Sequence, residues 1–458
     1  MALHHGRPDR PATPASNPFV VAANPSVDSA VTTPHDRLSD DPVPPDVAYQ
    51  LIHDELLLDG NARLNLATFV TTWMEPQAAR LMAECVDKNM IDKDEYPQTA
   101  ELESRCVRIL ADLWHAPDPT DAIGCSTTGS SEACMLAGLA LKRRASVAAR
   151  GGPPNLVMGT NVQVCWDKFC NYWEVEPRLV PMEGDRFHLT PDEAVARCDE
   201  NTIGVVAILG STFDGSYEPV AAISAALDDL QARTGLDIPI HVDGASGAMI
   251  APFLDPALEW DFRLPRVASI NTSGHKYGLV YPGVGWVVWR DRAALPEELI
   301  FKVNYLGGSM PTFALNFSRP GAEVVAQYYT FLRLGREGFR MVQQVSRDVA
   351  THLAGEIEGL GPFRLLTRAD ELPAFAFTSE SLNVFDVSRR LKERGWIVPA
   401  YTLPPNAEHI TVLRMVVKEN FSRDMVDMLA HDVVEAMRTV AHGRSSTHPR
   451  RPRLRPHC

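Results

Sequence analysis

The sequence predicts an α/β fold: a large domain on a mostly parallel sheet, followed by a smaller C-terminal α/β unit. Two observations carry this reading. Short apolar runs alternate with helical stretches through the middle of the chain, and that repetition gives a parallel sheet covered on both faces. A length of 458 residues exceeds what one small core needs and fits two domains.

The candidate strands are 155–158, 204–209, 238–242, 269–272 and 285–289, with a helix over 220–234 among them. Before them, residues 99–114 and 130–146 read as helices. A further helix begins near Asp46, read as its cap, where apolar residues recur at helical spacing. Residues 322–360 read as a long helical connection, followed by strands at 374–377 and 409–417 and helices at 385–394 and 422–440. Residues 1–45 are rich in Pro, Ala, Ser and Asp without a period, which suits an arm that is disordered or orders at a subunit contact. The expected divisions are a helical segment over 46–65, a large domain over 66–340, a small one over 341–442 and a basic tail over 443–458.

Acidic residues outnumber basic ones, 58 to 44, for a formal charge of −14. Such a surface repels phosphate backbones, so no nucleic-acid partner is expected. The eight cysteines form no CxxC pair and no cluster with zinc spacing, so no metal is expected. Reduced, mostly buried thiols of a cytoplasmic protein are the plain expectation. No run approaches the ~20 apolar residues of a membrane span. The N-terminus lacks the basic region and apolar run of a secretory signal, so none is expected.

Three motifs carry chemistry. Lys276 lies between Gly274 and Gly278, just after an apolar strand. Most lysines sit on solvated faces. A desolvated lysine at a strand end has a depressed pKa and forms a Schiff base with an aldehyde. Asp243 closes another apolar strand and is followed by the small residues Gly244, Ala245, Ser246 and Gly247. A carboxylate there can pair with a protonated pyridine nitrogen; the alternative is a cap for the next helix. Gly129, Ser130 and Ser131 open a helix without a lysine, which makes an anion site or an ordinary N-cap. The GxxxxGK[ST] pattern is missing, which argues against a nucleoside triphosphate. Together the motifs supply an aldehyde partner, a nitrogen partner and a phosphate cradle for one molecule of pyridoxal 5'-phosphate.

On the blocks 54–69, 89–97, 129–136, 260–266, 273–278 and 316–321, the sequence resembles bacterial glutamate decarboxylases. These are pyridoxal-phosphate enzymes of the aspartate aminotransferase fold. The resemblance covers roughly residues 46–440. It implies conversion of L-glutamate to 4-aminobutanoate and CO2. It implies that Lys276 bonds the cofactor and that Asp243 pairs with its ring nitrogen. Ser130, Ser131, Ser273 and His275 would hold the phosphate, with Ser318 reaching in from a neighbouring subunit. Thr212 would touch the ring's oxygen side, Gln163 would stack over the ring and Ala245 would pack beside it. His275 and Tyr305 join Lys276 and Asp243 as expected catalytic residues. Tyr305 lies in a glycine-containing segment that resembles the family's mobile loop; a hairpin aromatic is the alternative.

For the substrate, the resemblance implies Arg414 as the clamp on the α-carboxylate, a task suited to a bidentate guanidinium. A surface salt bridge is its alternative. Thr68, Phe69, Asn89 and Asp92 match the pocket for the distal carboxylate; an Asp beside a carboxylate requires a shared proton or a structural role, and Asp92 is read as an orienting group. A homodimer core with shared sites is implied, open to higher assembly. The consumed proton would suit a role in acid stress. Two departures stand out: Asp167 replaces a histidine found in some relatives, and Gly244 replaces the usual alanine. His457 holds a penultimate position that plugs the site in some bacterial relatives, but the Arg- and Pro-rich tail is unlike theirs. The tail also lacks the apolar anchors of a calmodulin-binding helix, so no calmodulin is expected. A decarboxylase of another amino acid, or a pyridoxal-phosphate binder without turnover, remains open from sequence.

Overall fold

A computed structural model of the chain describes residues 36–38, 42–146, 151–304 and 310–443. The expectations for Tyr305, for His457 and for nearly all of the N-terminal arm and the tail lie outside these residues. The chain falls into two compact units, residues 1–60 and 61–458.

The first unit contains helix α1 (Pro45–Leu56), none of whose residues is buried. Asp46 is not its cap, a correction to the sequence reading. The helix starts one residue earlier, and no side chain bonds its first turn. Pro45 accounts for this: its fixed φ is already helical, and it lacks an N–H that a cap would satisfy.

The second unit opens with α2 (Pro76–Ala83) and α3 (Pro97–Leu113). Then come β1 (Ile123–Thr127), α4 (Ser130–Ser146), β2 (Asn155–Gly159) and α5 (Val164–Tyr172). They are followed by β3 (Glu176–Val180), α6 (Pro191–Ala196), β4 (Thr202–Ile208) and α7 (Val220–Thr234). The last strands of the large sheet are β5 (Ile240–Asp243), β6 (Val267–Thr272) and β7 (Gly285–Trp289). The seven strands lie in the order β1-β7-β6-β5-β4-β2-β3. Strands β6, β5, β4, β2 and β3 pair in parallel, and only β7 runs against its neighbours, so β1 points the same way as the rest. Every residue of β4, β5, β6 and β7 is buried, as expected for a sheet covered on both faces.

Strands β1 and β3 give no apolar run in the sequence. β1 carries Gly124, Ser126 and Thr127, and β3 is an edge strand with Glu176 and Pro177 exposed. A short ribbon follows, β8 (Phe301–Val303) against β9 (Met310–Thr312). The long connection is α8 (Ala322–Gly359), interrupted at Gly335, where φ is 56° and ψ is −172°. The C-terminal part comprises β10 (Arg364–Leu365), β11 (Ala374–Thr378), α9 (Val384–Lys392), β12 (Ala400–Thr402), β13 (Thr411–Val416) and α10 (Arg423–Gly443). Its four strands form an antiparallel sheet in the order β10-β11-β13-β12. One apolar core gathers around Trp114, Trp260 and Trp286, and another around Phe375, Phe377 and Trp396. Among the described residues, no helix is long and apolar enough to cross a membrane.

Candidate active site

The sheet topology decides where a site can form. The carboxyl ends of β1, β2, β4, β5 and β6 share one edge, the usual ligand-binding edge of a parallel sheet. The segments leaving those ends converge on one cavity of about 290 Å³. Every cofactor residue expected from the sequence lines it, except Ser318.

Lys276 is half-buried, with Nζ 3.4 Å from Ser246 Oγ and 5.3 Å from the Phe69 ring centroid. Burial holds its ammonium below the usual lysine range, and Asp243 offsets part of that. The uncharged amine is the form that attacks an aldehyde. The lysine's backbone is fixed from outside the loop: Thr71 Oγ1 donates to its carbonyl at 2.6 Å.

Asp243 faces donors on both oxygens. Oδ2 accepts from Trp166 Nε1 at 2.9 Å and from Cys134 Sγ at 3.6 Å. Oδ1 accepts from Asn271 Nδ2 and from the Ala245 backbone, both at 3.2 Å. Such a carboxylate is held in one orientation, as a partner for a protonated ring nitrogen must be.

Helix α4 begins at Ser130, and Ser130 and Ser131 line the cavity at a helix start, where N–H groups lack helical partners. Ser273 Oγ donates to Ser130 Oγ at 2.8 Å. Burial, assisted by Lys276, pushes His275 down to about 4, so the imidazole is neutral near neutral pH. Its Nδ1 accepts from the backbone N–H groups of Gly283 and Val284, each at 3.3 Å. The proton therefore sits on Nε2, where it can be donated to an anion. Gly129 lets this ring approach: a β-carbon there would come 2.9 Å from His275 Cε1.

Gln163 caps α5, its Oε1 accepting from Cys165 N–H at 2.7 Å, which leaves the side chain on the cavity wall. Thr212 also lines the wall, and its carbonyl accepts from Arg414 Nη1. Arg414 Nη2 donates to the Ala67 carbonyl, and its Nε is buried without a partner. The guanidinium lies 5.0 Å from the Phe69 ring centroid. Arg414 and Phe69 thus form one group beside Lys276, while Thr68, next to Phe69 in the chain, is exposed.

Asn89 and Asp92 do not join that group. Asn89 Nδ2 donates to Ser318 Oγ at 3.3 Å, and its Oδ1 accepts from Arg319 N–H. The Asp92 N–H donates to the Asn89 carbonyl. None of Asn89, Asp92 and Ser318 lines the Lys276 cavity.

The donor set fits pyridoxal phosphate: a desolvated amine, a clamped carboxylate, and hydroxyl groups at a helix start. Residues 41–380 match the pattern described as the pyridoxal-dependent decarboxylase conserved domain. The chain is 56% identical over 434 residues to the glutamate decarboxylase of Aliivibrio fischeri, covering 91% of this chain and 93% of that one. It is 46% identical over 419 residues to that of Lactococcus lactis, covering 89% and 90%. The solved glutamate decarboxylase of Lactobacillus brevis superposes with a TM-score of 0.86 at 45% identity, covering 89% of this chain and 96% of that one.

The chain belongs to the pyridoxal-dependent decarboxylases. Its cofactor is pyridoxal phosphate. For this decarboxylase, sequence reasoning missed the residues that hold Asp243, namely Trp166, Cys134 and Asn271. Trp166 gives no signal, because buried tryptophans are common in cores. Asn271 does give one: a carboxamide inside a strand buried along its whole length needs partners.

Proposed function

We propose that the chain is a glutamate decarboxylase, converting L-glutamate and one proton to 4-aminobutanoate and CO2. The observation that carries the reading of an amino-acid substrate is the guanidinium of Arg414 beside Phe69 and Lys276, with its Nε buried and unpaired; glutamate in particular is supported by the relatives at 56% and 46% identity, both glutamate decarboxylases. A buried donor without a partner is costly, and a carboxylate would satisfy it.

Pyridoxal phosphate, when bound, supplies the electron sink that makes loss of CO2 from the α-carbon feasible. The chain's own residues do the rest. Lys276 would hold the cofactor through its aldehyde group, burial favouring the uncharged amine this requires. Asp243 faces the ring nitrogen and favours its protonated form. Ser130, Ser131, Ser273 and the Nε2–H of His275 hold the phosphate. Gln163 and Ala245 bound the ring, and Thr212 meets its oxygen side. Arg414 orients the α-carboxylate, and Thr68 and Phe69 border the distal one.

Asn89, Asp92 and Ser318 complete the site of a second copy, so the working unit is a homodimer. Asn89 Nδ2 bonds Ser318 Oγ, the residue expected to serve a neighbouring subunit's site, which supports this reading. The enzyme is proposed to act in the cytoplasm, where consuming a proton per turnover opposes acid stress. A panel of L-amino acids tests the substrate. CO2 release from glutamate well above release from aspartate, glutamine and the aromatic amino acids is expected. Preference for another amino acid would overturn the assignment.

A further inference from the structure

Strand β6 carries Asn271 opposite Asp243 of β5. Its side chain is wholly buried, as is that of His241, and both are polar. Asn271 Nδ2 donates to Asp243 Oδ1 at 3.2 Å and to Ser130 Oγ at 3.0 Å. Its Oδ1 meets His241 Nε2 at 2.8 Å, and His241 Nδ1 meets Ser269 Oγ at 2.8 Å.

The polarity of this chain is fixed by its ends. A carboxylate only accepts, so the Asn271 amide must turn its NH2 toward Asp243 and its oxygen toward His241. His241 must then donate from Nε2 and accept the Ser269 hydroxyl at Nδ1. Burial pushes His241 down to about 4, which keeps it in this neutral form. At the other end, Ser130 Oγ accepts from both Asn271 and Ser273. Both of its lone pairs are engaged, so its own hydrogen is left for the cavity.

We propose that Asn271 is a positioning residue that couples the two ends of the cofactor cradle. One carboxamide sets the orientation of the Asp243 carboxylate and aims the Ser130 hydroxyl at the phosphate, and His241 fixes which way that carboxamide faces. This rests on the assignment of Asp243 and Ser130 to the ring nitrogen and the phosphate.

Binding to the apoenzyme tests it, with pyridoxal phosphate and with pyridoxal, which lacks the phosphate. The variants are Asn271→Ala and the equal-sized Asn271→Asp, which keeps an acceptor for His241 but loses both donors. Each is expected to weaken pyridoxal phosphate by about tenfold or more, the scale of a lost hydrogen bond to a charged group. Pyridoxal should lose less, because only the ring end is then read. In a cycle of Asn271→Ala with Ser130→Ala, the double variant should lose less than the product of the single losses. Affinity within about twofold of the parent in the variants, or losses that multiply independently, would overturn the coupling. An Asn271→Ala that fails to fold leaves Asn271→Asp to decide, and a failure of both to give folded apoenzyme would assign Asn271 to the core and overturn the proposal. Asp243→Ala separates the two levels. If it too leaves affinity unchanged, the cofactor assignment fails; if it weakens binding while Asn271 variants do not, only the coupling fails.

Discussion

The indole Nε1 of Trp166 donates to Asp243 Oδ2 at 2.9 Å, joining the start of α5 to the end of β5. The same indole packs edge-on against Phe169, with ring centroids 6.0 Å apart. Trp166→Phe keeps an aromatic ring in the core but removes the donor. A hydrogen bond to a charged group contributes roughly 1.5–3 kcal/mol. The variant is expected to lose stability on that scale in urea unfolding and to bind pyridoxal phosphate more weakly in apoenzyme titrations. Unchanged affinity would mean that Asp243 needs no support from Trp166.

Arg414 spans two backbone carbonyls, those of Ala67 and Thr212, on separate segments of the site. Lysine keeps the charge but has no planar fork to bridge both. Arg414→Lys is therefore expected to raise KM for glutamate by about tenfold or more, the scale of one lost charged hydrogen bond. Steady-state kinetics with saturating cofactor measure this. A parental KM would remove Arg414 from substrate binding.

Glu218 is wholly buried and ties Asn161 Nδ2, Leu189 N–H and Ile208 N–H together. Burial pushes it up to about 7, while His241 and His275 are pushed down to about 4. Glu218 thus adds stability at low pH that is lost as pH rises toward 7. The two histidines do the opposite: their contribution is lost as pH falls toward 4. Between roughly pH 4.5 and 6.5 these slopes oppose one another. Glu218→Gln removes one of them, so its stability should fall more steeply on acidification, by up to about 1.4 kcal/mol per pH unit. Urea unfolding of apoenzyme at several pH values checks this. Parallel profiles for parent and variant would show that Glu218 titrates alike folded and unfolded.

Subunit mixing probes the second-copy assignment. A Lys276→Ala chain retains Asn89 and Ser318, and a chain with Asn89→Ala and Ser318→Ala retains Lys276. Refolded together, they are expected to show activity well above either alone, because a mixed dimer contains one intact composite site. No gain on mixing, with mixed dimers demonstrated by mass, would place all site residues within one chain.

The parallel sheet was legible because β2, β4, β5, β6 and β7 are apolar runs. That legibility extended to the site, since Lys276, Asp243 and Ser130 each follow or close a strand on the same edge. The sequence reading stopped where partners come from distant segments. Nothing around Asp243 indicates that Trp166 and Cys134 hold it, because those contacts form only when α4 and α5 pack beside β5. Asp46 misled for a local reason, since a capping residue type was preceded by a proline that already starts the helix. The edge strand β3 has no apolar pattern to read, because water faces most of it.

The most direct test of the whole reading follows the α-carboxylate itself. The purified chain, loaded with pyridoxal phosphate, is given L-glutamate labelled at carbon 1, and both products are collected. Labelled CO2 in equal amount with unlabelled 4-aminobutanoate is expected from the parent, and neither from Lys276→Ala. Label retained in the amine product, or turnover that survives Lys276→Ala, would contradict it.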